Sequence, residues 1–558
     1  MSELKPVFAG LIWVFVLLSS AAAQHPTDFS DDISQHPSAL LDGLAEYQLL
    51  RINDAQRSEA AAAARNGRAF SLDVGNHTVS FALQPLEVRS PDYVLMTSGE
   101  GRSAHPGTTN QFSGSSPDGG KAVFTITPAF LMGHWSHNGD TYALEPLWLS
   151  APTAPRDVYV SYRAADLTVP ESTCGVTKRH ADHAAEHTAA PNKNDPGFKT
   201  VDVAVVIDSL FYRHFANDDD AEEYTLGLLA LVQRDFDRGF DNRIKFRLSA
   251  LLLSKDGAEE GWTTITDSER LLERFMTFGN SPDFDVNYDV ATLMTGRDLA
   301  GRVIGVAFLD AVCDTNRYNI VQDWYPGALG QRAIWAHELG HNFGAQHTVE
   351  GRFVMSPTSD QNDDRWASAT VSTIERNVGK YACLESFGWQ YLRVSLLGGD
   401  VRLDWEFADQ NPHDGFLVQR AETPDGPWSE VKRISDRPSD VFREVDNGLS
   451  FGRIYYYRVI QLANDGTPCV SKTRKINVPY LDGGRISPNP TNGQIRVYSP
   501  SVKPRNYKMH DATGRILWNG IINQGANLID LSSLPAGVYF YVEAQENKEP
   551  VVERIIRQ

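Results

Sequence analysis

The sequence predicts a multidomain protein with an α/β middle and β-rich flanks. Three observations carry this. The chain has 558 residues, more than one ordinary hydrophobic core accommodates, so about three to five domains are expected. Between residues 199 and 386, apolar runs such as Val203-Ala204-Val205-Val206-Ile207 alternate with amphipathic helical patterns. On both sides of that stretch, short alternating segments lie between glycine, proline and asparagine turns, the pattern of antiparallel strands.

The elements follow in order. Lys5, an apolar run over 7–18 and then Ser19-Ser20-Ala21-Ala22-Ala23 read as a secretory signal peptide, 1–23, cleaved after Ala23. No other segment approaches the roughly 20 apolar residues of a membrane-spanning helix, so no transmembrane anchor is expected. Residues 24–66 read as largely helical. Strands follow at 70–74, 78–83, 93–96, 121–126, 131–135 and 140–147, in one segment over 24–198. Its end, Ser172-Thr173-Cys174-Gly175-Val176-Thr177, leads into a linker over 177–199, where Lys178-Arg179 is a processing point. His180, His183 and His187 fit a solvated linker better than a second metal site.

The α/β stretch has a buried strand at 201–208, a helix over 221–240, strands at 244–248, 290–294 and 305–309, and a last helix over 368–382. Asp218-Asp219-Asp220 precedes the long helix. A calcium ion there is possible but unsupported, since a helix N-terminus attracts carboxylates by itself. The formal charge of −19 argues against nucleic acid or an anionic membrane surface as partner.

The chemistry concentrates in His337-Glu338-Leu339-Gly340-His341-Asn342-Phe343-Gly344-Ala345-Gln346-His347. His337 and His341 stand four residues apart, so on a helix both imidazoles project from one face and supply half of a tetrahedral Zn²⁺ shell. Glu338 reaches a water held by that metal without being a ligand. Gly344 allows the sharp turn that returns His347 as third ligand, leaving a fourth position open. This spacing resembles that of the metzincin zinc endopeptidases. Met355, in Phe353-Val354-Met355-Ser356-Pro357, stands where that clan carries its methionine turn. The resemblance implies a mixed, mostly parallel sheet with an active-site helix over 199–386. It implies Zn²⁺ on His337, His341 and His347, and Glu338 as general base, then acid, in hydrolysis of protein or peptide substrates.

The β-rich 24–198 segment resembles the propeptide of reprolysin-type (adamalysin) enzymes. Cys174-Gly175-Val176 is similar to the core with which zymogens of the clan cap their zinc, so the resemblance implies a latent form with Cys174 as fourth ligand. The alternative is a buried or disulfide-bonded cysteine. Cys313 and Cys383 match a reprolysin-type disulfide pair, leaving Cys469 either free and buried or joined to Cys174. Thr348 after the third histidine and the short step to Met355 depart from adamalysins, while Asn342 and the two cysteines favour them. The branch stays open.

Residues 387–480, with Trp405 and Tyr455-Tyr456-Tyr457-Arg458-Val459, resemble a fibronectin type III sandwich. Residues 481–558, opening on Ile486-Ser487-Pro488-Asn489-Pro490 and including Pro535-Ala536-Gly537-Val538-Tyr539, are similar to the C-terminal sorting domain of type IX secretion substrates. That likeness implies the outer-membrane secretion machinery as a partner, with the product secreted or held at the cell surface. The expected function is therefore a secreted zinc metalloendopeptidase made as a latent zymogen. The alternative is a non-catalytic adhesion protein on the same scaffold.

Overall fold

The computed structural model describes residues 16–18 and 38–558, apart from 75–76, 100, 105–106, 117, 169–172, 178–198, 258–259, 282–283, 324–326, 349–352, 358–364, 382, 387–388, 398–399, 408–412, 425, 436–440, 448, 451–452, 464–467, 479–485, 500–502, 524 and 545–549. The proposed processing point and the three linker histidines thus lie outside the described residues, as does the side chain of Cys469. The chain divides into two compact units, Met1–Leu384 and Glu385–Gln558.

Among its described residues the first unit holds two sheets. One runs antiparallel through Phe70–Val74, His77–Pro85, Gln111–Ser115, Lys121–Ile126, Leu131–His137, Asp140–Pro146, Val158–Arg163 and Gln48–Arg51. Val16–Leu18, within the stretch read as a signal peptide, pairs in parallel with Phe70–Val74. Strand alternation gives this sheet two apolar faces. Leu131 and Trp135 join Phe70, Phe81 and Phe124 in a core closed by the helix Asp54–Arg65. Met132 faces the other way and joins a core shared with the helix Asp218–Phe240.

The second sheet is mixed and mostly parallel. Its strand order is Thr173–Thr177, Val303–Phe308, Tyr318–Gln322, Val290–Thr295, Lys199–Ile207, Ile244–Leu253, Arg89–Thr97 and Gly101–Ala104. Among these pairings only Val303–Phe308 with Tyr318–Gln322, and Arg89–Thr97 with Gly101–Ala104, are antiparallel. The strands near the centre are buried on both faces, as their unbroken apolar runs require.

Three local expectations change. The region before residue 66 is helical for most of its described part, but a strand that was not expected, Gln48–Arg51, separates the helices Ala39–Gly43 and Asp54–Arg65. Pairing with Val158–Arg163 overrides the helical propensity of Leu49 and Leu50. The strand expected at 93–96 does not join the sheet of those expected at 78–83 and 121–126 but pairs in parallel with Ile244–Leu253. The last helix ends at Val378, before Gly379, and not at 382.

The helix Asp218–Phe240 starts at Asn217, whose side chain accepts from the Asp220 amide. Its acidic first turn is already matched by cations, Lys255 on Asp218 at 3.0 Å and Arg156 on Asp220 at 3.0 Å.

His134 shares Met132's face of its strand and is fully buried, with neither ring nitrogen partnered among the described residues. Burial pushes its pKa well down, and the positive charges of Arg332 and Arg234 push it further. The unfolded chain binds a proton at His134 below about pH 6.5 that the folded chain resists, so this group removes stability as pH falls through that value. We expect His134→Leu to flatten the decline in thermal midpoint of the full chain between pH 7 and 5. A decline as steep as in the parent would remove His134 as its source.

The second unit begins with two sheets enclosing one core. Trp389–Leu397, Asp400–Phe407 and Val441–Asp446 form one sheet. Ser429–Ser435, His413–Ala421 and Arg453–Ala463, flanked by Pro468–Val470 and Arg474–Val478, form the other. Trp405 is fully buried between them, stacked on Phe442. Residues from 486 onward build two smaller antiparallel sheets around Ile495, Met509 and Tyr541.

Candidate active site and metal centre

The helix Ala328–Asn342 is buried along its whole length, and the sheet fixes its C-terminal half. Trp335 donates Nε1–H to Thr292 Oγ1 at 2.8 Å. The Asn342 amide donates to the carbonyls of Phe308 at 3.0 Å and Tyr318 at 3.1 Å. Its N-terminus is held differently. Gly327 precedes it at φ 134° with no side chain to cap the first turn, and the Ala328 amide donates instead to Glu145 Oε2 at 2.7 Å. Glu145 belongs to the strand Asp140–Pro146 of the other sheet, and no local pattern around it signals this contact.

At the other end the helix stops at Phe343, and Gly344 adopts φ 88°, in the left-handed region. The Gly344 amide donates to the His341 carbonyl at 2.8 Å and the Ala345 amide to that of Gly340 at 2.9 Å. This reversal brings His347 beside His337 and His341. Met355 is buried under the helix. A Cβ placed on Gly340 would collide with its Sδ, so the motif's inner glycine makes room for the methionine. The Thr348 amide donates to the Met355 carbonyl at 2.8 Å, tying the two turns together.

The three Nε2 atoms stand 3.0–3.2 Å apart. The Nδ1 atoms of His337 and His341 lie 2.6 and 2.7 Å from the carbonyls of Val354 and Ala345. A carbonyl only accepts, so each Nδ1 carries the proton and each Nε2 presents a lone pair. Burial depresses all three imidazoles, His337 to about 4, and so favours the neutral form. Three converging lone pairs repel unless a cation lies among them. Their spacing is close to the edge of about 3.3 Å that ligands make around tetrahedral Zn²⁺. The donor set fits that ion.

Cys174 completes the cluster, its Sγ and the three imidazoles all offering ligand atoms within 4.8 Å of one another. It is a free thiol, so it is not joined to Cys469. Its strand, Thr173–Thr177, runs parallel to Val303–Phe308 and covers that side of it. The thiol donates to Glu338 Oε1 at 3.0 Å, while Oε2 of this buried carboxylate has no partner among the described residues. Burial raises Glu338 well above the usual carboxylate range, against the hydrogen bond from Cys174, which lowers it. Burial and the negative Glu338 also raise the Cys174 thiol. A cation among the ligand atoms reverses both tendencies. Cys313 and Cys383 are joined in a disulfide, 70 residues apart in sequence.

Residues 198–381 match Metallo-peptidase family M12. They form a reprolysin-type M12 metallopeptidase domain. Residues 485–558 match the Secretion system C-terminal sorting domain. Among curated relatives, the zinc metalloproteinase-disintegrin-like proteins atragin and atrase-B of Naja atra are 26% identical over 234 residues and 27% over 229. These alignments cover 39% of this chain and 36% and 37% of the relatives, so the chain spans little more than a third of their length. Metalloproteinase-II from Bacteroides fragilis aligns with a TM-score of 0.35 at 11% identity, over 56% of this chain and 91% of its own. The M12 match spans the helix Ala328–Asn342, His347, Met355 and the strand Val303–Phe308, and ends at Tyr381, two residues before Cys383.

Proposed function

We propose that the chain is the latent precursor of an exported zinc metalloendopeptidase. The carrying observation is the convergence of three Nε2 lone pairs beside a buried carboxylate with one unpartnered oxygen. His337, His341 and His347 would hold Zn²⁺, which when bound polarises a scissile carbonyl and acidifies water. The remaining work falls to the chain's own groups. An extended substrate pairs with the backbone of Val303–Phe308 once Thr173–Thr177 has left it. Glu338 accepts the proton of the attacking water on its carboxylate and delivers it to the leaving amine. Met355 keeps the helix and the His347 turn in register from below.

The chain then divides into signal peptide 1–23, propeptide 24–198, catalytic domain 199–386, fibronectin type III-like domain 387–480 and sorting domain 481–558. Export by the type IX route through the outer membrane follows from the last of these. The processed protein should contain one equivalent of zinc, cleave peptides in a library and lose that cleavage on chelation. Zinc well below one equivalent, or cleavage indifferent to chelator, would sink the ligand assignment.

A further inference from the structure

Beyond the zinc cluster, an extensive surface without an assigned role lies between residues 38–168 and the M12 domain. It has four independent components. The strand Arg89–Thr97 extends the catalytic sheet on the edge opposite Cys174, its 94–97 backbone in register with 250–253. Phe130, Met132 and Trp148 share a single hydrophobic cluster with Leu226, Leu229 and Phe236 of the helix Asp218–Phe240. Arg89 reaches Glu222 at 3.3 Å with both side chains buried, while Asn110 and Gln111 donate to the two oxygens of Glu223 at 2.6 and 2.9 Å. Glu145 occupies the N-terminus of the helix that bears His337, Glu338 and His341, and the Tyr162 hydroxyl holds its other oxygen.

We propose that residues 38–168 remain bound to the M12 domain as a non-covalent subunit after the chain is cut between them, with Glu145 as the resident cap of the active-site helix. The surface has the character of a domain core. If the segment left, the Ala328 amide would lose its acceptor next to a glycine that cannot replace it, and Ile244–Leu253 would become an open edge. The strand with Cys174 is anchored separately, at the opposite sheet edge and beyond residues 169–172. Opening the cleft therefore requires moving only that strand. Glu145 is a positioning residue, since it touches neither ligand atoms nor Glu338.

The proposal rests on the reading of 178–198 as the place of processing only for its biological meaning, and its test needs no peptidase activity. A recognition site for a sequence-specific protease is inserted within 180–197 of a full chain carrying Glu338→Gln, and the cut protein is passed over a sizing column at moderate salt. The two pieces should elute together at one to one, with the amides of 328–330 as protected from hydrogen exchange as in the uncut chain. Separate elution, or rapid exchange at those amides after cutting, would overturn the proposal. In the same cut protein Glu145→Leu should loosen association by about tenfold or more, since the acceptor of a buried amide is lost. Glu145→Gln, which keeps an acceptor oxygen, should stay within about threefold. Equal retention in the Leu and Gln variants would remove Glu145 from the account even where the pieces stay together.

Discussion

Replacing Glu338 with glutamine is expected to lower peptide hydrolysis by about 10²–10⁴-fold while zinc content stays at one equivalent. Packing isolates the chemistry at this position. Glu338 is 1% exposed and lies hard against the strand Val303–Phe308, where a Cβ on Gly305 would collide with Oε1. Glutamine has the same shape and keeps the side chain in that slot, whereas alanine would open a void. Glutamine cannot accept the water's proton at neutral pH, so the loss reports proton transfer alone. The effect should fall on kcat more than on KM, because the residue does not pair with an extended peptide. A Glu338→Gln protein that holds its zinc and turns over within a few-fold of the parent would refute the assignment of Glu338 as the base.

Much of this centre was legible because its parts are close in sequence. Helical spacing aligns His337 with His341, one glycine makes the turn to His347, and Met355 follows eight residues later. Local geometry then leaves little freedom. The carbonyls of Val354 and Ala345 fix the imidazole tautomers through backbone atoms, which carry no side-chain signature. Glu145 stands 183 residues from the amide it caps and sits in a strand whose pattern explains it only as an edge of apolar packing. The 93–96 stretch has the alternation of a strand in either sheet. Its place beside Ile244–Leu253 depends on a pairing that periodicity does not encode. In the upstream segment, alternation predicted most strands, and pairing with the M12 domain decided where the one at 93–96 went.

Cys174→Ala is expected to raise the peptidase activity of the uncut precursor by about 10–100-fold, short of full activity. The gain and its ceiling have separate sources. The Cys174 sulfur occupies the site, through Glu338 or through zinc, and a bond to a charged partner is worth about this factor. The strand Thr173–Thr177 still pairs with Val303–Phe308 whatever its side chains, so the cleft stays partly covered. Cys174→Ser then separates two ways of silencing the enzyme. A serine hydroxyl can keep the bond to Glu338 but is a poor zinc ligand, whereas a thiolate takes the open position firmly. If latency comes from sulfur on zinc, the Ser precursor should be as active as the Ala one. If it comes from occupying Glu338, the Ser precursor should stay nearly silent. Because a cation lowers the thiol pKa that burial and Glu338 raise, the zinc-loaded precursor should follow the first pattern. An Ala precursor as silent as the parent would assign latency to the strand alone.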